Sequence, residues 1–352
     1  MASSPSFPAS VFPAVDATKG ILIGRVCNPS NDLMEQDVGG GHRPIHDENI
    51  AASLGFTDGA PIHGTVHFSQ LAPLLLEAFG HRWFEEGSIS VHFLKPVRHL
   101  EPVRAFAEIP RGGQSQIRIW MEKDDGGGTR VFEGTASCGS RAGLAPSTIQ
   151  RRIASLKTMP LTTELILMRL RPGERSAREL GVGIDFGRRI GGLFPHTIEQ
   201  KNRVITEPSL WYEEGGGSSS PWGRAVLAPE LLNAIMFYTY DRVKWQDGSV
   251  ADNKAVGLFG GCEVNVLDGP LFPGELYDLE REVIGLGETR GTEFVWVHTR
   301  LFRQGSDSVV AEMLLQTMAL KRSVPGYNKM RKEAEEKRAF KFAEKKKIRS
   351  RI

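Results

Sequence analysis

The sequence predicts an α+β fold in which one unit is used twice, each copy a long central helix followed by an antiparallel sheet. Three observations predict it. An almost unbroken apolar run at residues 65–79 has the length of a helix and stops at Gly80. Behind it, short segments alternate apolar and polar residues and are separated by turn formers. The same order, helix first and alternating segments after, recurs weakly between residues 229 and 320.

In chain order, Asp47 and Glu48 open a short helix over residues 48–54, where negative charge suits the positive amino end. The run 65–79 is a mostly buried helix, with Pro73 as a kink. Ile89, Val91 and Phe93 alternate with Ser88, Ser90 and His92 in a first strand; residues 103–109 and 116–122 form the next two. Asp124-Asp125-Gly126-Gly127-Gly128 turns the chain into a fourth strand at residues 130–138. In the second copy, Pro229 opens a helix through Val243. Strands follow at residues 262–267, 274–284, 294–303 and 309–320, the last two joined at Gly305-Ser306-Asp307.

A helix wrapped by an antiparallel meander is the order of a hotdog fold, so the expectation is a tandem, double hotdog. Residues 1–140 form the first hotdog, 141–180 a linker with a basic helical stretch, 181–325 the second hotdog, read as non-catalytic, and 326–352 a basic tail. One hotdog leaves an open sheet edge and half a pocket; two side by side join their sheets and enclose an acyl-binding tunnel between the helices.

With 40% apolar and 24% charged residues the composition is that of a globular protein. The formal charge of +2 hides an asymmetry: residues 329–352 carry eleven Lys or Arg against four Glu, which leaves the body at about −5. That argues against a nucleic-acid-binding body, and the tail reads as a solvated helix. Cys27, Cys138 and Cys262 are far apart without CxxC spacing, consistent with a reducing compartment and small core residues. No secretory signal and no apolar run of membrane-spanning length is expected. The ending Ser350-Arg351-Ile352 is similar to the Ser-Lys-Leu peroxisomal address, so the expected location is peroxisomal or cytoplasmic.

Seven of nine histidines lie between residues 42 and 99, which places acid-base chemistry in the first half. There, Gly40-Gly41-His42-Arg43-Pro44-Ile45-His46 is followed by Ala51, Ala52, Gly55-Phe56 and Ile62-His63-Gly64. This stretch resembles the motif of MaoC-like (R)-specific enoyl-CoA hydratases, roughly Gly-Asp-x-Asn-Pro-(aliphatic)-His. The resemblance covers about residues 40–138, and the second half only by order of elements. It implies a lyase without a cofactor, in which His46 is the general acid/base and the Gly64 N–H binds the thioester or enolate oxygen. Helix-start N–H groups lack intrahelical partners and sit at the positive dipole end, which suits that second role; the alternative is that Gly64 serves tight packing.

Gly41 stands at the family's Asp position and Arg43 at its Asn position. Asp37 is one replacement acid, brought in by the Gly39-Gly40-Gly41 run; otherwise His46 acts alone on an already acidic proton, or the site binds without removing water. Arg43 holds a substrate carboxylate or phenolate, or pairs with Asp47. His63, Thr65 and His67, at the head of the long helix, are assigned to the substrate pocket. Without HExxH or a third ligand, His63 and His67 do not make a metal site. P-loop, dinucleotide and serine-elbow motifs are absent. The expected activity is dehydration or hydration of a β-hydroxy carbonyl compound, an acyl-thioester or a polyketide-derived intermediate of secondary metabolism. The rivals are a non-dehydrating cyclase or isomerase and an acyl-CoA thioesterase, the latter because Phe93-Leu94-Lys95-Pro96 resembles a thioesterase strand end. The partner is a small molecule, with the chain a monomeric pseudo-dimer or a homodimer.

Overall fold

The structure is a computed structural model that describes residues 12–13, 15–33, 45–140, 143–156, 165–167, 170–191, 193–240, 243–245 and 255–349. Asp37, Gly41 and Arg43 lie outside the described residues, as does the Ser350-Arg351-Ile352 ending.

The first half begins with β1 (Asp16–Thr18) and β2 (Ile21–Cys27), a hairpin turned by Lys19-Gly20 and not expected from the sequence. Next come α1 (Glu48–Ser53), α2 (His67–Phe79) and α3 (Trp83–Glu86), then β3 (Gly87–Phe93), β4 (Val103–Glu108), β5 (Gln116–Lys123) and β6 (Arg130–Cys138). Asp47 caps α1 by accepting the Ile50 N–H at 2.9 Å, and α2 stops at Gly80, whose φ of 71° is the left-handed geometry glycine tolerates. The connecting α4 (Thr148–Leu156) and β7 (Glu179–Val182) lead to α5 (Ile198–Asn202) and α6 (Pro229–Phe237). The second meander is β8 (Gly257–Val266), β9 (Tyr277–Glu288), β10 (Thr292–Arg303) and β11 (Val309–Leu320), and α7 (Tyr327–Arg349) closes the described chain.

All the strands join one antiparallel sheet of order β1-β2-β4-β5-β6-β3-β8-β11-β10-β9-β7. Its seam is the pairing of β3 with β8, from Ser88 opposite Asn265 to His92 opposite Gly261. Each half wraps a helix. Leu71, Leu74 and Leu75 of α2 are fully buried against Ala105, Ile117, Ile119 and Phe132, each worth about 1.5–3 kcal/mol of burial. In β4 the alternation is clean: Val103, Ala105 and Ala107 point in, while Phe106 on the other face stacks on Trp120 with centroids 5.3 Å apart.

The outer face at the seam is covered by α4. Ser90 Oγ accepts the Ile149 N–H at 2.9 Å, Thr135 Oγ1 accepts the Thr148 N–H at 3.1 Å, and Ser147 Oγ donates to the fully buried Glu263. Ile149 and Ile153 pack on Phe294 and Trp296. The basic stretch expected in the connection is this helix.

One expectation is corrected. The second central helix ends at Phe237 rather than running to Val243. Arg281 of β9, 1% exposed, donates to the Met236 carbonyl at 3.1 Å and to Thr239 Oγ1 at 2.8 Å, and so takes up the carbonyl that another turn would have used. At the carboxyl end, Tyr327 donates to the buried Glu293 at 2.8 Å and Arg331 to Glu288 at 3.0 Å. Most described side chains of α7 beyond this anchor are exposed. The three cysteines are buried and free.

Candidate active site

His46 is positioned by its neighbours on both sides. Ile45 is buried in a small cluster with Leu54 and with Leu320 of the second half. The Asn31 side chain donates to the His46 carbonyl at 2.9 Å. The ring's Nδ1 lies 2.7 Å from the Pro61 carbonyl, an oxygen that can only accept. Nδ1 therefore carries the proton, and Nε2 of the neutral ring holds a lone pair. Pro61 is itself fixed, because residues 61 and 62 pair with 97 and 98, the Ile62 N–H bonding the Val97 carbonyl at 2.8 Å.

His63 follows, with its ring centroid 5.7 Å from that of His46. A 2.8 Å hydrogen bond joins His63 Nδ1 to Thr65 Oγ1. A 3-10 turn, Gly64–Val66, then starts α2, so the Gly64 N–H is at the helix amino end. A Cβ on Gly64 would stand 2.9 Å from Phe93 Cζ, so the missing side chain lets the Phe93 ring close over the turn. His67 lies deeper: 2% exposed, it bonds Gln70 Oε1 at 2.9 Å, and Gln70 donates onward to Thr206 Oγ1 at 3.0 Å.

Of the predicted residues, the structure brings together His46, His63, Gly64 and Thr65, and places His67 beneath them on α2. His92 and His99 are used elsewhere. His92 bonds the Gly260 carbonyl at 2.8 Å, and His99 Nδ1 accepts the Asn31 N–H at 3.1 Å.

The second half supplies residues the sequence did not flag. Phe194 and Phe259 meet the His63 ring edge-on, at 5.7 and 4.9 Å, and Phe237 packs on both at 6.5 and 5.3 Å. His196, 3% exposed, adjoins Phe194. Lys201 Nζ and Glu230 Oε2 form a buried ion pair at 2.6 Å, their side chains 8% and 2% exposed. Local sequence hides this pair. Lys201 follows the Thr197-x-x-Gln200 capping box in the last turn of α5, where a base suits the dipole, and Glu230 follows Pro229 in the first turn of α6, where an acid does.

His46 and His63 are partly buried and His67 and His196 buried, and burial favours the neutral form of each ring. Burial lowers His46, with the Pro61 bond opposing and Lys201 adding to the shift. Burial pushes His63 well down, helped by His46, Lys201 and His196. His67 and His196 are each held at about 4, mainly by burial. Burial raises the Glu230 carboxyl and Lys201 opposes it. Among the described residues no group of three or more His, Cys, Asp or Glu can hold a metal ion, and no helix is long and apolar enough to cross a membrane. The halves also share a small apolar crevice lined by Phe68, Phe84 and Ile89 on one side and Leu227, Leu232 and Leu271 on the other.

No family model matches the sequence, and no curated protein does. Solved structures do. A protein named as a MaoC-domain dehydratase from Chloroflexus aurantiacus is 13% identical, with a TM-score of 0.53 over 90% of this chain and 99% of its own. A double-hotdog protein from Mycobacterium tuberculosis is 12% identical over 86% and 96%, with a TM-score of 0.49. The dehydratase domain of PpsC from the same organism, solved with C12:1-CoA, is 11% identical over 88% and 97%, with a TM-score of 0.45. With two helices each wrapped by half of one continuous sheet, and that likeness over nearly its full length, the chain has the double-hotdog fold seen in the MaoC-domain dehydratase.

Proposed function

We propose that this protein is a MaoC-like hydro-lyase, a dehydratase or hydratase of β-hydroxy carbonyl compounds, with His46 as the base. The observation that carries this reading is the 2.7 Å bond from His46 Nδ1 to the Pro61 carbonyl. It sets the tautomer, leaves the Nε2 lone pair free to take an α-proton, and steadies the imidazolium that forms. Burial keeps the ring neutral at pH 7, as a base requires. The Gly64 N–H at the start of α2 is the donor for the enolate oxygen, where helix-end charge strengthens it. His63, braced by Thr65, and the rings of Phe93, Phe194 and Phe259 form the substrate wall. Such a wall suits a flat, conjugated substrate, which supports a polyketide-derived intermediate over a short enoyl-thioester.

The test is mass spectrometry of wild-type and His46→Ala protein incubated with crotonyl-CoA, a longer enoyl-CoA and hydroxylated polyketides. The expected result is a gain or loss of one water that falls by at least about 100-fold in the variant. Turnover retained in His46→Ala overturns the mechanism. A His46-dependent product of unchanged mass replaces the lyase with an isomerase or cyclase, and release of free thiol replaces it with a thioesterase.

A further inference from the structure

Dehydration needs an acid for the departing hydroxyl as well as a base for the α-proton, and Gly41 stands where the resembled motif has its carboxylate. We propose that Lys201, held by Glu230, is the proton donor to the leaving hydroxyl, so that base and acid come from different halves of the chain. This rests on the dehydratase reading above.

The pair is an expensive thing to bury. Two well-packed apolar side chains would stabilise the fold at least as well, so stability alone does not account for it. Its place in the fold accounts for it better. Glu230 and Phe237 are seven residues apart on α6, two turns along one face. Phe237 closes the aromatic wall around His63, and His63 adjoins His46. At the other end of that face, the Ser69 hydroxyl of α2 lies beside the Glu230 carboxylate, five residues on from Gly64. The turn Gly64–Val66 packs on α6. The pair thus sits beside the first turn of α2, the helix whose start carries the Gly64 N–H. As support, Lys201 is a cation whose charge bears on His46, His63 and His196 alike. On the same helix, Asn233 is fully buried with its Oδ1 unpartnered, a further acceptor facing the interior.

The chemistry balances. The α C–H bond breaks, its proton goes to His46 Nε2 and its electron pair is held as the enolate at the Gly64 N–H; that pair then forms the C=C bond as the β C–O bond breaks. The leaving oxygen takes one N–H proton of Lys201 and departs as water. Lys201 has three N–H donors, of which Glu230 occupies one, so the ammonium is held in place while it gives up another. Transfer of the imidazolium proton back to the Lys201 amine, directly or through a water, restores both groups.

The test uses the full chain in deuterated water with a 3-hydroxybutyryl thioester and its 3-chloro analogue, whose chloride leaves without a proton. Lys201→Met is expected to keep α-proton exchange within about 3-fold, to lose water elimination by at least about 100-fold, and to eliminate chloride at the wild-type rate. His46→Ala should lose all three. Wild-type water elimination by Lys201→Met overturns the proposal and leaves the dehydratase reading standing. Equal loss of exchange and of both eliminations in a folded Lys201→Met means a structural role and also overturns it. If Lys201→Met does not fold, the double variant Lys201→Met/Glu230→Leu, which removes both charges, is read in its place. Absence of exchange and elimination in the wild type, with this thioester and with the hydroxylated polyketides alike, overturns the dehydratase reading and this proposal together.

Discussion

Replacing Gly64 with alanine sets a methyl carbon 2.9, 3.0 and 3.3 Å from three atoms of the Phe93 ring, where ordinary carbon contacts are about 3.5–4.0 Å. Phe93 cannot withdraw cheaply, because its ring packs edge-on against Phe132, which is fully buried. Overpacking of this kind costs about 1–3 kcal/mol. With an unfolding entropy of about 2.1 cal/mol/K per residue, ~0.7 kcal/mol/K for the 352-residue chain, Tm should fall by roughly 1.5–4 °C. The assay is thermal and urea unfolding of wild type, Gly64→Ala, Phe93→Leu and the double variant. If the ring causes the loss, its removal in Phe93→Leu relieves it, and the cycle shows a favourable coupling of about 1 kcal/mol or more. Additive effects within ~0.5 kcal/mol would refute the clash.

The remaining predictions concern titration and anchoring. His67 and His196 are held at about 4 in the fold against about 6.5 unfolded, so between those values the unfolded chain binds more protons. Their contribution is full above about pH 6.5 and is lost as pH falls toward 4, about 2 kcal/mol per histidine by pH 5. Urea unfolding at pH 7.5 and 5 should show this loss, and His67→Gln should reduce it; an unchanged acid loss would count against the assignment. The lowered His46 predicts that kcat/KM rises through an apparent pKa below 6.5, and a rise centred above 7 would contradict a desolvated base. Arg281→Met leaves the Met236 carbonyl and Glu179 without their partner, costing about 2–4 kcal/mol in urea; a cost below ~1 kcal/mol would show that the helix end does not depend on it. Tyr327→Phe removes the bond to buried Glu293 and should cost about 1–2 kcal/mol, whereas truncation after residue 343 should leave Tm unchanged.

Much of the fold is written in local pattern. Helix α2 is legible because its apolar residues are continuous and Gly80 closes it, and β3 and β5 because apolar and polar residues alternate along them. The hairpin of β1 and β2 is less so: Ile21, Leu22 and Ile23 run together without strict alternation, and the pairing that makes them a strand is with β4, some eighty residues away. The premature end of α6 has the same origin, since the guanidinium that replaces its next turn comes from β9.

The sequence by itself determined two helix-and-meander units and the grouping of His46, His63 and Gly64. Those are consequences of residue type, of period, and of spacing within a single stretch of chain. The tertiary structure decided which nitrogen of His46 is free, because Pro61 must be brought under the ring. It also decided that Phe194 and Phe259 pack on His63 and that Lys201 meets Glu230, because joining β3 to β8 sets the two central helices against each other. An ion pair between residues 201 and 230 has no signature in sequence: each partner already has a local reason to be where it is, and only burial removes the water that would make their meeting unimportant.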